Sequence, residues 1–183
     1  MSVMKIIVLR HGMTEYNKRG VGNGQVMEDP LVPEGIEQVR SMLPLLPEHI
    51  DLLYVSDLLR TPQTAEIVNE KYHAPIIYDP RLREVDYGTL VGKSWGQMEM
   101  ETGLPVLGNN LKVQYDYRPY GGESVLDIKT RVLAALETIK KDAAGKKVIV
   151  VTHGGVVRLL DFILLNKLTD RMIPNSVPFE YEI

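Results

Sequence analysis

The chain has no cysteine, which removes disulfides, thiolate metal sites and a cysteine nucleophile from consideration. It has no H-E-x-x-H, and its four histidines lie far apart, so no catalytic metal and no metal cofactor is expected. There is no G-x-S-x-G, which leaves the "THGGV" stretch without the nucleophile elbow an esterase would need. "GTLVGKS" ends like a Walker A loop, but Gly88 stands one residue too close to Gly92 and no buried strand precedes it. Nucleotide-triphosphate binding is rejected on that ground. There is no basic excess: the formal net charge is -3, so nothing draws the chain to nucleic acid or an acidic membrane. Any anionic ligand must be caught by cations gathered locally. No apolar run approaches membrane-spanning length, and the one in "MSVMKIIVLRHG" is too short for a signal segment. A cytoplasmic, membrane-free protein is the expectation.

What remains is ordinary globular composition over 183 residues, 44% hydrophobic and 25% charged. That is enough for one domain with a sizeable core. Lys5 to Leu9 reads as a buried parallel strand, and "GVGNGQVMEDP" as a surface loop. Pro33 opens a helix with Ile36, Val39, Met42 and Leu43 on one face. "DLLYVS" is a second strand, followed by a helix from about Thr61 with Ala65, Ile67 and Val68 inward. "APIIYDP" is a short third strand. Residues 81 to 121 read as irregular, with one helix around Ser94 to Glu101. Ser124 and Asp127 form a capping box ahead of Ile128, Val132, Leu136 and Ile139. "KKVIVVTHGG" is the clearest buried strand, and "GVVRLLDFILLN" follows as a helix. "SVPFEYEI" alternates like an edge strand, which Pro178 tolerates. Such alternation implies an α/β domain on a mostly parallel sheet.

In open α/β sheets, ligands collect beyond the carboxyl ends of the strands. Three strand ends here carry related residues. The first delivers Arg10 and His11, the second leads through "SDLLR" to Arg60, and the third delivers His153 before Gly154 and Gly155. Any one of them alone has an ordinary structural reading, as a capping arginine or a hydrogen-bonded histidine. His49 and His73 have no such company and read as surface residues. Co-location makes a phosphate-sized cationic pocket the natural inference, with arginine forks and glycine N–H groups facing an anion.

The segments "LRHGMTEYN", "LVPEGIEQ", "VSDLLRTPQTA", "LREVDYGTLVG", "GGES" and "VTHGGVVR" resemble, in order, the motifs of the histidine phosphatase superfamily, also called phosphoglycerate mutase-like. The resemblance runs from residue 9 to residue 158. It implies a three-layer α/β/α sandwich with a mostly parallel central sheet, and attack by His11 on phosphorus to give a phosphohistidine that water hydrolyses. It further implies that Arg10, Arg60 and His153 hold the phosphoryl oxygens and that Asn17 adds a hydrogen bond. Thr14 either contacts phosphate or ties down its loop, and Gly154 offers backbone to the substrate. Glu84 stands at the position of the general acid, with Asp86 as the rival. Ser56 is read as orienting His11 or as a simple helix-start residue.

The sequence departs from the family's cofactor-dependent mutases at two places. Val85 replaces an arginine after the acid, and Trp95 falls where a lysine would be. Both favour hydrolysis of a small phosphorylated metabolite over phosphoglycerate mutase chemistry, the alternative. A non-catalytic phospho-ligand-binding protein is less favoured, because His11 and Glu84 are both present. Met13, where glutamate is common, has no account. Residues 94 to 121 read equally as a hydrophobic cluster under a loop or as a lid or insertion within a single domain over 1–183, with Lys112 and Arg118 as candidate anion contacts. The exposed last strand is an edge through which a homodimer could pair.

Overall fold

In this computed structural model, which describes residues 3–170 and 172–183, five strands form one sheet in the order β3-β2-β4-β1-β5. They are β1 (Lys5–Arg10), β2 (Leu52–Val55), β3 (Ile76–Tyr78), β4 (Val148–Thr152) and β5 (Pro178–Glu182). All neighbours run parallel except β5, which pairs antiparallel with β1 along the sheet's edge. The α/β class and the mostly parallel sheet are as the sequence predicts.

Residues of the strands alternate between two cores, because successive side chains point to opposite faces. Ile6, Val8, Leu52, Tyr54, Val148 and Val150 belong to one buried cluster. Leu9, Leu53, Val55, Ile149 and Val151 belong to the other. The second cluster is closed by helices α2 (Pro33–Met42) and α3 (Arg60–Tyr72); a short helix α1 (Glu15–Arg19) precedes them. The first is closed by α4 (Trp95–Thr102), α5 (Val106–Leu111), α6 (Val125–Asp142) and α7 (Gly154–Leu165). The result is three layers, helices on both faces of the sheet. No helix among the described residues is long and apolar enough to cross a membrane.

Local chemistry sets the helix limits. Ser124 and Asp127 form the expected capping box of α6, and Ser94 and Gln97 form another on α4. Helix α1 was not legible in advance: it is five residues long, capped by Thr14 and closed at Gly20 in the left-handed region. Helix α5 also went unread, because its six residues carry no periodic face. Of the hydrophobic residues between 94 and 121, Met98, Val106, Tyr115 and Tyr117 are buried in the larger cluster, while Met100 and Leu104 are exposed.

The turn after β1 is pressed against α2. A Cβ on Gly35 would lie 2.1 Å from Met13 O and 2.7 Å from Met13 N, and one on Gly12 would lie 2.7 Å from Gly35 O. Gln38 Oε1, one turn along α2, accepts from Met13 N–H, and Thr64 Oγ1 on α3 accepts from Gly12 N–H at 3.0 Å. Backbone meets backbone here, so no side chain can yield. Gly35→Ala is expected to cost about 1–3 kcal/mol of stability, as overpacking does. Urea unfolding checks it; an unchanged midpoint would mean α2 can retreat freely.

Candidate active site

The pairing of β1 with β4 places Arg10 opposite Thr152, and His11 N–H donates to Thr152 O at 3.0 Å. The residues that follow these two strand ends are His11 and His153. Their ring centroids stand 5.2 Å apart, and both side chains are buried. His11 Nδ1 lies 2.7 Å from Gly12 O. A carbonyl oxygen can only accept, so Nδ1 carries the hydrogen and Nε2 keeps its lone pair. Burial holds the His11 pKa well below its ordinary 6.5, with Arg60 and Arg10 adding to the effect. Burial and then Arg60 do the same to His153. Both rings are therefore neutral near pH 7. His153 Nε2 pairs with Ser56 Oγ at 2.8 Å, so Ser56 orients His153 and not His11, for which it stood as a candidate.

A cavity of about 200 Å³ opens next to these strand ends, lined by Arg10 and Gly154 but not by His11 or His153 themselves. Its wall includes Arg10, Asn17, Glu84 and Gly154 from the sequence's candidates, and Asn23, Tyr87, Trp95, Arg158, Met172 and Asn175 besides. Arg10 is partly buried, and desolvation of its guanidinium pushes its pKa down to about 10. One of its terminal nitrogens donates to Ile173 O, while its Nε has no partner among the described residues. Arg60 Nε and His153 Nδ1 are likewise buried without a described partner. Of these three orphaned atoms only Arg10 Nε belongs to a residue of the cavity wall, and an unpartnered guanidinium nitrogen there suits an anion.

Arg60 does not reach the cavity wall. Its Nη1 and Nη2 donate to Val26 O and Gly24 O at 2.9 and 2.8 Å, so it pins the loop after α1. Thr14 is fully buried and caps α1: its hydroxyl accepts from Asn17 N–H, and Asn17 Oδ1 accepts from Thr14 N–H. Tying down the loop is the part of its two readings that the contacts display. Asn17 Oδ1 also accepts from Asn175 Nδ2, which bonds His11 O as well. With that oxygen engaged, the Asn17 amide N–H groups are the ones left to face the cavity.

Glu84 is buried, not paired with Arg81 or Arg83 at the surface. Those arginines are held by Asp79 and Asp57. Its carboxylate accepts from Val85 N–H at 2.8 Å and from Gly155 N–H at 3.1 Å through both oxygens. A Cβ on Gly155 would lie 2.2 Å from Glu84 Oε1. The glycine pair thus admits the protein's own carboxylate at Gly155, and Gly154 lies against the Arg10 guanidinium. Asp86, the rival acid, accepts from Gly88 N–H and does not line the cavity.

A second tier fixes the Glu84 segment. Arg131 donates to the carbonyls of Arg81, Arg83 and Glu84 at 2.7–2.8 Å and makes a paired contact with Glu123. Glu123 in turn accepts from Asp86 N–H. Lys112 and Arg118 are not brought to the cavity, and Arg118 pairs with Asp116. Val85 is fully buried, whereas Trp95 packs edge-on against Tyr87 at 6.0 Å on the cavity wall. No group of three or more His, Asp or Glu side chains is arranged as metal ligands among the described residues.

The model of the histidine phosphatase superfamily (branch 1) matches residues 6–174. A metal-independent phosphoserine phosphatase of Arabidopsis thaliana is 35% identical over 166 residues, 86% of this chain and 67% of the relative. A 2,3-bisphosphoglycerate-dependent phosphoglycerate mutase of Rhizobium etli is 33% identical over 85% of this chain and 77% of its own. In structure, a mycobacterial hydrolase superposes with a TM-score of 0.85 at 23% identity, covering 99% of this chain and 91% of that one. That likeness establishes the fold.

The buried histidines make stability depend on pH. Their folded pKa values lie below the unfolded 6.5, so on acidification the unfolded chain takes up protons first. They cost nothing above about pH 7, and each removes at most about 1.4 kcal/mol per pH unit once pH falls below 6.5. Between about pH 7.5 and 5.5 the wild type is expected to lose about 1 kcal/mol more than His11→Asn does, measured by urea unfolding without phosphate. Equal losses would mean His11 titrates normally in the fold.

Proposed function

Because this chain belongs to the histidine phosphatase superfamily, we propose that it hydrolyses phosphate monoesters of small metabolites through a phosphohistidine on His11, without a metal. The observation that carries this reading is the fixed His11 tautomer. Its hydrogen is committed to Gly12 O, and its Nε2 lone pair is kept neutral beside buried, unpartnered donors.

The chemistry then follows in two displacements. His11 Nε2 forms a bond to phosphorus as the bond to the leaving oxygen breaks, and that oxygen takes the proton of Glu84. In the second step the Glu84 carboxylate accepts a proton from water as the water oxygen bonds to phosphorus. The P–N bond breaks, releasing inorganic phosphate and neutral His11. Arg10 Nε, His153 Nδ1–H and the Asn17 amide stabilise the equatorial oxygens, a preorganised cradle worth more in a buried site than in water. For His153 to donate through Nδ1, its Nε2 must accept the Ser56 hydroxyl proton, which the 2.8 Å contact permits. Arg60 acts at one remove, through its charge and the loop it pins.

A cavity of about 200 Å³ favours small esters. Hydrolysis is preferred to mutase chemistry because Val85 is buried in the core and Trp95 presents an indole, not a cation, to the cavity. The test is a pair of variants on two substrates. His11→Ala is expected to abolish turnover of both p-nitrophenyl phosphate and an alkyl phosphate. Glu84→Gln is expected to slow the alkyl ester by about 10²–10⁴-fold and the nitrophenyl ester, whose leaving group needs little protonation, far less. Turnover that survives His11→Ala would sink the phosphohistidine route, and isomerisation of a phosphoglycerate without phosphate release would establish the mutase instead.

A further inference from the structure

The Glu84 carboxylate is aimed in part by its own backbone. Val85 N–H donates to Glu84 Oε1 at 2.8 Å, so the peptide unit joining the two residues holds the carboxylate at its N–H end. The other end of that unit is the Glu84 carbonyl, and the unit is planar and rigid. Whatever fixes the carbonyl therefore fixes the direction in which Val85 N–H points. Two side chains do so. Arg131 Nη2 donates to Glu84 O at 2.8 Å from α6, and Gln25 Nε2 donates to it at 3.1 Å from the loop after α1.

The second partner of Gln25 is Glu123 Oε2, at 3.4 Å. A carbonyl and a carboxylate can only accept, so the amide nitrogen is the atom that faces both. Glu123 Oε2 also accepts from Asp86 N–H, so Gln25 holds the acid segment on either side of Val85. The two donors differ in scope. Arg131 binds the carbonyls of Arg81, Arg83 and Glu84, and its loss would loosen the whole segment. Gln25 acts only at the Glu84 peptide and at Glu123, and it is half-buried on a loop.

Gln25 is itself held from behind. Arg60 donates to the carbonyls of Gly24 and Val26, the residues immediately before and after it. Val26 N–H closes a turn onto Asn23 O at 3.0 Å, and Asn23, on the cavity wall, donates to buried Asp29. A run of contacts thus leads from Arg60 through Gln25 to the Glu84 peptide. It connects a guanidinium that does not line the cavity with a carboxylate that does.

Resting on the phosphatase reading, we propose that Gln25 is a positioning residue for Glu84. It sets the 84–85 peptide plane so that the carboxyl meets the leaving oxygen, and it acts on leaving-group protonation, not on phosphate binding.

The test is Gln25→Met, which keeps the length of the side chain and removes its donors. For an alkyl phosphate, kcat is expected to fall about three- to tenfold, the span of one lost hydrogen bond. For p-nitrophenyl phosphate, which needs little protonation, kcat should stay within about twofold, as should KM for both esters. In a Glu84→Gln background the same substitution should change the alkyl ester by less than about twofold, because the group it positions is gone. Gln25→Lys returns a donor to both oxygens and is expected to recover part of the rate, which separates a lost contact from a misfolded loop. A wild type that turns over neither ester would end the phosphatase reading and this proposal with it. With wild-type turnover intact, the proposal alone falls if both esters slow equally, if the alkyl ester is unaffected, or if KM rises at constant kcat. It falls as well if the effect is undiminished in the Glu84→Gln background, or if the lysine variant is no faster than the methionine one.

Discussion

The register between β1 and β4 is the constraint on which the rest depends. Arg10 opposite Thr152, closed by the bond from His11 N–H to Thr152 O, puts two strand ends level at the centre of the sheet. Two histidines separated by 142 positions of chain (153 − 11) become neighbours with ring centroids 5.2 Å apart. A slip of one residue would turn every side chain of β1 to the opposite core, and Ile6 and Val8 would exchange places with Ile7 and Leu9. Core packing on both faces thus enforces the geometry of the site. The Gly12–Gly35 contact, together with Thr64 and Gln38, then holds the turn that presents His11.

Charge is distributed in two populations. Arg81, Arg83 and Arg131 are each paired with a carboxylate and serve the scaffold around Glu84. Arg60 and Arg158 are buried, and Arg10 partly so with its Nε buried, without one among the described residues. Burial, with the field of Arg60 and Arg10 behind it, keeps both histidines neutral, which is the state the proposed nucleophile needs and a cost the fold bears on acidification. The same field is what an incoming dianion relieves. On the proposed mechanism, anion binding and the neutral nucleophile both draw on the burial of these strand ends and on the cations gathered there.

Much of this was legible in the sequence, for identifiable reasons. The buried strands were short β-branched runs, and the capping box of α6 is a local signal that needs no tertiary context. Arg10, His11, Glu84 and His153 are singled out by strand ends and motif order, and the fold sets His11 beside His153 and puts Arg10 and Glu84 on one cavity wall. Arg60 was placed in the right region, but its reach is spent on the carbonyls of Gly24 and Val26, contacts across 36 and 34 positions that no pattern announces. Ser56 meets His153, which neither of its two readings, orienting His11 or starting a helix, had named, since a strand-end serine could turn to either ring. Arg158 stood in plain view within "VTHGGVVR", yet helical periodicity alone gives no sign that its side chain is buried without an anion. Asn175 and the Arg131–Glu123 pair were invisible for a similar reason: their meaning lies in backbone groups brought to them by folding.

The central claim is that neutral, buried His11 takes the phosphoryl group itself. The most direct measurement is to mix protein and p-nitrophenyl phosphate, stop turnover within milliseconds in alkaline denaturant, and locate any adduct by mass spectrometry of peptides. The expected result is one phosphoryl group on His11, stable in alkali and lost in acid, and absent from the His11→Ala protein. Steady turnover with His11 unmodified at every time point, or an adduct on another side chain such as Ser56, would contradict it.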